Sequence, residues 1–177
     1  MIELVLGGAR SGKSRYAEQT VLAAEKPLFY VATATVYDDE MRQRVTRHQS
    51  DRTSHHQSWT TIEEPLCLAD ALAPLLARDV CVVVDCLTLW VTNCLLHEDS
   101  NRWPAEKLAL YSLLENTPAA RLIMVSNEVG QGIVPLGELN RRFVDESGWL
   151  HQELAQLADK VTLVTAGLPL TLKEESS

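Results

Sequence analysis

The sequence lacks both a long hydrophobic segment and a paired-cysteine motif. No apolar run reaches the length of a membrane span, and the apolar N-terminal stretch ends at Leu6, which is too short for a signal peptide. The four cysteines, at positions 67, 81, 86 and 94, form no C-x-x-C pair, which argues against a zinc site or a thioredoxin motif. We therefore predict buried, reduced thiols in a cytoplasmic protein.

Basic residues are scarce as well. The 16 Lys and Arg against 24 Asp and Glu give a formal net charge of -8, whereas proteins that bind nucleic acid usually carry a basic stripe. Anionic substrates would have to be held locally by Lys, Arg and Mg²⁺ against this unfavourable field.

No repeat, linker or low-complexity segment divides the 177 residues, so we predict one domain over 1–172 and a flexible polar tail over 173–177.

What the sequence does contain is a phosphate-binding motif. Residues 7–14 read Gly7-Gly8-Ala9-Arg10-Ser11-Gly12-Lys13-Ser14 and fit G-x-x-x-x-G-K-[ST], the loop of P-loop NTPases. An apolar segment predicts a strand over 2–6, and helical spacing predicts a helix over 14–25, an arrangement that aims backbone N–H groups at a phosphate. In this motif Lys13 would reach the β- and γ-phosphates, and the Ser14 hydroxyl would hold Mg²⁺.

Apolar runs alternate with helical patterns along the rest of the chain. Further strands are predicted over 27–32, 59–62, 80–84, 121–126 and 161–165, with an edge strand over 168–172. Helices are predicted over 38–52, 65–76, 87–96, 105–114 and 136–157, the last with a possible break near Gly148. This alternation predicts an α/β, P-loop NTPase-type three-layer domain with a mostly parallel central sheet and helices on both faces. Ligands would then bind beyond the carboxyl ends of the strands.

Two further segments follow predicted strands. The apolar run 80–84 ends in Asp85, the form of a Walker B element, whose carboxylate reaches the Mg²⁺ shell. After the strand at 121–126, residues 127–135 place Gly130 and Gly132 in a loop at the ligand end of the sheet. This loop is either functional or a tight connection, and the chemistry alone favours neither.

A histidine lies among arginines in the polar segment 38–52. Arg44, His48 and Arg52 recur every four residues and would share one face of a helix. The face could be a solvated stripe. It could also serve phosphate chemistry, because neutral imidazole is a competent nucleophile and guanidinium groups stabilise phosphoryl oxygens, and the spacing alone does not decide between the two. His55 and His56 have no pattern that completes a metal site, and we predict no role for them.

Taken together, these segments resemble the bifunctional adenosylcobinamide kinase / adenosylcobinamide-phosphate guanylyltransferase family of cobalamin biosynthesis. The resemblance extends from residue 2 to about residue 170. Its most specific parts are Asn-Glu-Val-Gly-Gln-Gly-Ile-Val-Pro at 127–135 and Asp-Asp-Glu-Met at 38–41 followed by His48. The other matching pieces are residues 7–15, Tyr-Val-Ala-Thr-Ala at 30–34, Trp59 with Glu63, and Asp-Cys-Leu-Thr at 85–88 with Val-Thr-Asn at 91–93.

The resemblance implies a role for each matching residue. His48 corresponds to the histidine that family members guanylylate, and residues 7–14 to the nucleotide-phosphate loop. Glu63 and Asp85 correspond to carboxylates of the nucleotide and metal site, where Ser14 and Asp85 would be the Mg²⁺ ligands. The remaining nucleotide-binding residues that it implies are Thr33, Ala34, Thr35, Gln49, Ser50, Asp51 and Arg52.

The resemblance also implies two reactions. ATP or GTP phosphorylates adenosylcobinamide, and GMP from GTP then passes through guanylyl-His48 to adenosylcobinamide phosphate, giving adenosylcobinamide-GDP. Mg²⁺ is the implied cofactor and a homotrimer the implied assembly. From the motifs themselves two alternatives stay open: a single-function P-loop kinase of another small alcohol, and a P-loop NTPase switch acting on a partner protein. The guanine motif Asn-Lys-x-Asp, typical of GTPase switches, is absent.

Overall fold

Strands and helices alternate in a computed structural model of the chain, which describes residues 1–35, 58–116 and 118–174. The strands are β1 (Ile2–Gly7), β2 (Leu28–Ala32), β3 (Trp59–Glu63), β4 (Cys81–Asp85), β5 (Arg121–Asn127), β6 (Lys160–Thr165) and β7 (Leu168–Glu174). The helices described are α1 (Lys13–Leu22), α2 (Leu68–Leu76), α3 (Leu87–Leu95), α4 (Arg102–Leu114) and α5 (Glu138–Leu157).

The strands form one seven-stranded sheet in the order β3-β2-β4-β5-β1-β6-β7. All neighbouring strands are parallel except β7, which pairs antiparallel with β6 at the edge. Every residue of β1 is buried, as expected of a central parallel strand that is covered on both faces. The predicted α/β fold with a mostly parallel sheet is confirmed.

Two apolar clusters cover the two faces of this sheet. Ala17 and Val21 of α1 pack on one face, where they meet Val5, Val83 and other strand residues. The opposite face is covered by α2, α3, α4 and α5, and its cluster includes the largest buried side chains, Trp90 and Trp103. Helices therefore lie on both faces, as the alternation of the sequence predicts.

The start of α2 differs from its prediction. Helical spacing places it at Pro65, whereas the helix begins at Leu68. The Glu64 carboxylate accepts hydrogen bonds from the backbone N–H groups of Leu66 and Cys67, at 2.9 and 2.8 Å. These bonds hold 65–67 in a turn, so the helix starts after it.

The C-terminal part of the chain is more regular than predicted. Helix α5 runs through Gly148 without a break, because Leu150 and Leu154 are fully buried, and that burial outweighs the roughly 1 kcal/mol that glycine costs in a helix. Lys173, predicted in a flexible tail, belongs to β7 and donates to carbonyl oxygens at the end of α5, including that of Ala158 at 2.7 Å. None of the described helices combines the length and the hydrophobicity that a membrane span requires.

Candidate functional site

The carboxyl ends of six parallel strands meet at one edge of the sheet, and most of the predicted site residues lie there. The phosphate-binding loop follows β1, Thr33 follows β2, Glu63 ends β3, Asp85 ends β4, and Asn127 ends β5. Strand register places Ala32 level with both Glu63 and Asp85, and Gly7 level with Asn127. The sheet thus assembles residues from five distant segments, in the position where open α/β sheets bind their ligands.

Two glycines shape the phosphate-binding loop. A Cβ atom at Gly7 would lie 2.5 Å from Ser11 Oγ and 2.6 Å from the backbone oxygen of Val164, so no larger residue fits. Gly12 has φ +96° and forms the N-cap of α1, a conformation that disfavours side chains. The loop therefore closes tightly over the N-terminus of α1, where backbone N–H groups can receive a phosphate.

The polar side chains of this loop point to an anionic ligand. Lys13 is buried, and its Nζ donates to the backbone oxygen of Gly8 at 3.0 Å. Burial lowers the pKa of Lys13, and the negative charge of Asp85 opposes that shift. Ser11 Oγ is buried without a hydrogen-bond partner among the described residues, and such an atom could be satisfied by a phosphate oxygen.

Asp85 is held in place by a residue that sequence reasoning assigned no role of its own. The Tyr30 hydroxyl donates to Asp85 Oδ2 at 2.9 Å. Tyr30 is buried on β2, and its ring packs edge-on against Trp59, with centroids 6.1 Å apart. The pattern offered no signal for this contact, because the two residues are 55 positions apart and only strand pairing brings them together.

The donor set fits Mg²⁺. Ser14 in the first turn of α1 provides a hydroxyl and Asp85 a carboxylate, and Mg²⁺ prefers hard oxygen ligands of this kind, completed by phosphates and water. The described residues contain no cluster of three or more His, Cys, Asp or Glu that could hold a metal alone.

The residues that follow β2 differ in how accessible they are to a ligand. Thr33 is fully buried, and its hydroxyl donates to the backbone oxygen of Cys86 at 2.7 Å. Its side chain is thus engaged within the protein and joins the ends of β2 and β4. Ala34 and Thr35 are half-buried, and Glu63 is exposed at the end of β3.

Several sequence-predicted residues lie outside the described part of the chain. These are His48, the four residues 49–52 that follow it, the predicted helix over 38–52, and the histidines at 55 and 56. Their roles stay predictions.

The prediction of buried thiols is confirmed for three of the four cysteines, and Cys67 is half-buried. All four are free thiols, and Cys81, Cys86 and Cys94 are buried. Burial raises the pKa of Cys86, beside Asp85, to about 11, so this thiol is neutral at physiological pH.

The loop after β5 is attached to the phosphate-binding loop. The Glu128 backbone N–H donates to the Gly7 oxygen at 3.0 Å, and the Asn127 side chain donates to Thr88 Oγ1 at 3.2 Å. Further on the loop is open, and Ile133 is 98% exposed. The beginning of the segment therefore belongs to the ligand edge of the sheet.

Comparison with known proteins shows which family the sequence matches. A family model described as cobinamide kinase / cobinamide phosphate guanyltransferase matches residues 3–172. The chain is 50% identical over 175 residues to the bifunctional adenosylcobalamin biosynthesis protein CobP of Pseudomonas aeruginosa, covering 99% of each chain. It is 36% identical over 186 residues to the bifunctional adenosylcobalamin biosynthesis protein CobU of Escherichia coli, covering 98% of this chain and all of that protein.

Similar solved structures support the fold alone. A Pyrococcus horikoshii OT3 protein, from a structural study of PH0250, superposes with a TM-score of 0.57 at 10% identity and covers 99% of this chain and 87% of its own. An ATP synthase subunit, NeqB of Nanoarcheaum equitans, superposes with a TM-score of 0.52 at 14% identity, covering 92% and 46%.

Proposed function

The chain belongs to the cobinamide kinase / cobinamide phosphate guanyltransferase family, and from that membership we propose how its residues divide the two reactions. The protein is a kinase and a nucleotidyltransferase of cobalamin biosynthesis. The observation that carries this conclusion is the family match over residues 3–172, because that range includes the phosphate-binding loop, Asp85 and the segment around His48. The family resemblance seen in the sequence is thereby confirmed.

In the kinase reaction, the γ-phosphoryl group of ATP or GTP passes to the aminopropanol hydroxyl of adenosylcobinamide. The P-loop backbone and Lys13 hold the triphosphate, and the buried Ser11 hydroxyl gains a phosphate oxygen as partner. Lys13 then stabilises negative charge on the transferring group in a site shielded from water. When bound, Mg²⁺ would neutralise phosphate charge, with Ser14 and Asp85 as its protein ligands.

In the guanylyltransferase reaction, His48 is the nucleophile. An imidazole nitrogen attacks the α-phosphorus of GTP, a P–N bond forms, and the bond to the leaving pyrophosphate breaks. A phosphate oxygen of adenosylcobinamide phosphate then attacks the same phosphorus, which breaks the P–N bond and gives adenosylcobinamide-GDP. The nucleotide contacts of this reaction are completed by Ala34, Thr35, Glu63 and residues 49–52, while the buried Thr33 supports this segment from inside the protein.

Product analysis tests the function directly. The purified protein is incubated with adenosylcobinamide, Mg²⁺ and ATP, then with GTP, and the products are identified by mass spectrometry. We expect adenosylcobinamide phosphate after the first addition and adenosylcobinamide-GDP after the second. The first product without the second would leave only a kinase, and neither product would contradict the proposal.

Replacing Tyr30 by Phe is expected to weaken Mg²⁺ binding about tenfold, because outer groups that orient a metal ligand contribute about that much to affinity. The change removes only the hydroxyl that donates to Asp85 Oδ2. Calorimetric titration with GTP, with and without Mg²⁺, measures the effect: affinity should fall only when Mg²⁺ is present. Tyr16→Phe is the matched control, because its hydroxyl donates to Glu3 instead. An equal loss in both variants would count against a role for Tyr30 at the metal.

We further propose that the enzyme is a cytoplasmic homotrimer. The edge strand β7 exposes Leu168, Leu170 and Leu172 by 72%, 59% and 55%, and soluble proteins seldom leave an apolar edge strand uncovered. Light scattering should give the mass of three chains, and Leu170→Lys should lower it to one. Leu108→Lys, an equally drastic change at a leucine 66% exposed on α4, serves as the control. A single-chain mass for the unmodified protein would refute the trimer.

A further inference from the structure

A row of three polar side chains lies directly behind the ligand edge of the sheet. Ser126 of β5 is fully buried, and its Oγ lies 2.7 Å from Nε2 of His151 on α5. The other ring nitrogen, Nδ1, faces Glu128, whose Oε2 is 3.9 Å away. His151 is itself only 7% exposed, so its imidazole ring is buried between the consecutive elements β5 and α5, beside the phosphate-binding loop.

Glu128 connects this row to the phosphate-binding loop. Its backbone N–H donates to the oxygen of Gly7, the first residue of that loop, at 3.0 Å. Its Oε1 accepts the backbone N–H of Gly130 at 2.7 Å, which shapes the turn that opens the following loop. The second carboxylate oxygen of the same residue is the one that faces His151. The imidazole ring of His151 therefore faces Glu128, the residue that connects the loop after β5 to the phosphate-binding loop.

The order serine, histidine, carboxylate is that of a hydrolytic triad, but the geometry does not support a nucleophile here. Ser126 is fully buried, so no substrate can reach its oxygen. The separation of 3.9 Å between His151 Nδ1 and Glu128 Oε2 is also longer than a hydrogen bond, so no proton relay joins the two residues, but the dipole of an Nδ1–H group at that distance still attracts the carboxylate. What the row can do is orient Glu128.

We propose that His151 is a positioning residue, which holds the Glu128 carboxylate so that residues 127–130 stay against the phosphate-binding loop and keep it formed for nucleotide. The inference rests on the proposed function, because it requires a nucleotide at that loop. In the tautomer that fits both contacts, the Ser126 hydroxyl donates to Nε2 and the hydrogen on Nδ1 points at Glu128. Burial lowers the pKa of His151 while Glu128 opposes this shift, which agrees with a neutral ring.

Two substitutions test the two ring nitrogens of His151 separately. Asn at position 151 can present its amide nitrogen near the place of Nδ1, whereas Gln presents a polar atom near the place of Nε2. His151→Gln should therefore keep the contact with Ser126 and lose that with Glu128. We expect KM for GTP to rise about tenfold in His151→Gln and His151→Leu, and His151→Asn to restore it to within about threefold, with kcat changed less than about twofold.

The measurement is the steady-state rate of guanylyl transfer against GTP concentration, beside calorimetric binding of GTP. His97→Leu, at an exposed histidine, is the matched control and should leave both unchanged. A purely structural role would lower kcat, through loss of folded enzyme, and leave KM unaltered. An unchanged KM in His151→Gln, or no difference between Gln and Asn, overturns the proposal, and these two variants decide it even where His151→Leu does not fold. If the unmodified protein binds no GTP, the proposed function fails rather than the role of His151.

Discussion

Replacing His48 by Ala is expected to abolish covalent labelling of the protein by GTP and to lower guanylyl transfer by at least about 10³-fold, the scale on which loss of a catalytic nucleophile is felt. Without the imidazole no P–N bond can form, so the transfer would have to proceed in one direct step. Phosphorylation of adenosylcobinamide should persist within a few-fold of the normal rate, because γ-phosphoryl transfer uses the phosphate-binding loop and makes no bond to His48.

The experiment compares GTP labelled at the α-phosphate with GTP labelled at the γ-phosphate. A phosphorus–nitrogen bond is stable to alkali and labile to acid, so label from the α-phosphate alone, with that stability, identifies guanylyl-histidine. His55→Ala and His56→Ala are matched controls, since these neighbouring histidines have no predicted role. Undiminished label in His48→Ala would show that another residue is the nucleophile, and label from neither position would remove the covalent step altogether.

The central strands could be predicted because their sequences are apolar without interruption. Residues 81–84 are all fully buried in β4, and a run this short, composed mostly of valine, favours a buried strand over a helix. The order of the strands in the sheet was not predictable in this way. It depends on which apolar runs pair, and β1 lies between β5 and β6, which follow more than 110 residues later.

Element ends depended on contacts that the local pattern does not contain. The start of α2 is set by the Glu64 carboxylate, and β7 is extended by Lys173, whose amine caps the carbonyl end of α5. Gly148 suggests a break when residues are read locally, but the burial of Leu150 and Leu154 overrides it. For β7 and Gly148 the deciding interaction comes from another segment or from the core, and for α2 it is a side-chain hydrogen bond two and three residues away, so neither propensity nor periodicity indicates any of them.

In the site, too, some residues could be predicted from the sequence and others could not. The phosphate-binding loop and Asp85 are recognisable because their chemistry needs fixed residue types at fixed spacing and at strand ends. Tyr30 and His151 reach that chemistry through Asp85 and Glu128, and their positions follow from packing across the sheet. Residues that act on substrate thus leave a sequence motif, whereas residues that orient them are found only from the fold.

Replacing Lys13 by Ala is expected to lower both activities together, each by about 10²- to 10³-fold, the range for removing one preorganised charge from a transition state. Lys13 is buried in the phosphate-binding loop, so after its removal water cannot compensate the negative charge of the phosphates in its place. Both reactions begin with a triphosphate on that loop, one breaking the bond to the γ-phosphoryl group and the other releasing pyrophosphate. Removing the ammonium group therefore disfavours charge development in each.

The two rates are measured separately, with adenosylcobinamide and ATP for the kinase and with adenosylcobinamide phosphate and GTP for the transferase. Lys26→Ala is the matched control, because in the described part of the chain Lys26 pairs with Asp79 at the surface. The melting temperature of Lys13→Ala should stay close to normal, which separates lost catalysis from lost folding. Lys13→Ala should depress both rates, whereas His48→Ala should depress only one, and this contrast is what two reactions at one phosphate site require. A kinase rate that survives Lys13→Ala while guanylyl transfer falls would mean that the two triphosphates bind at different places.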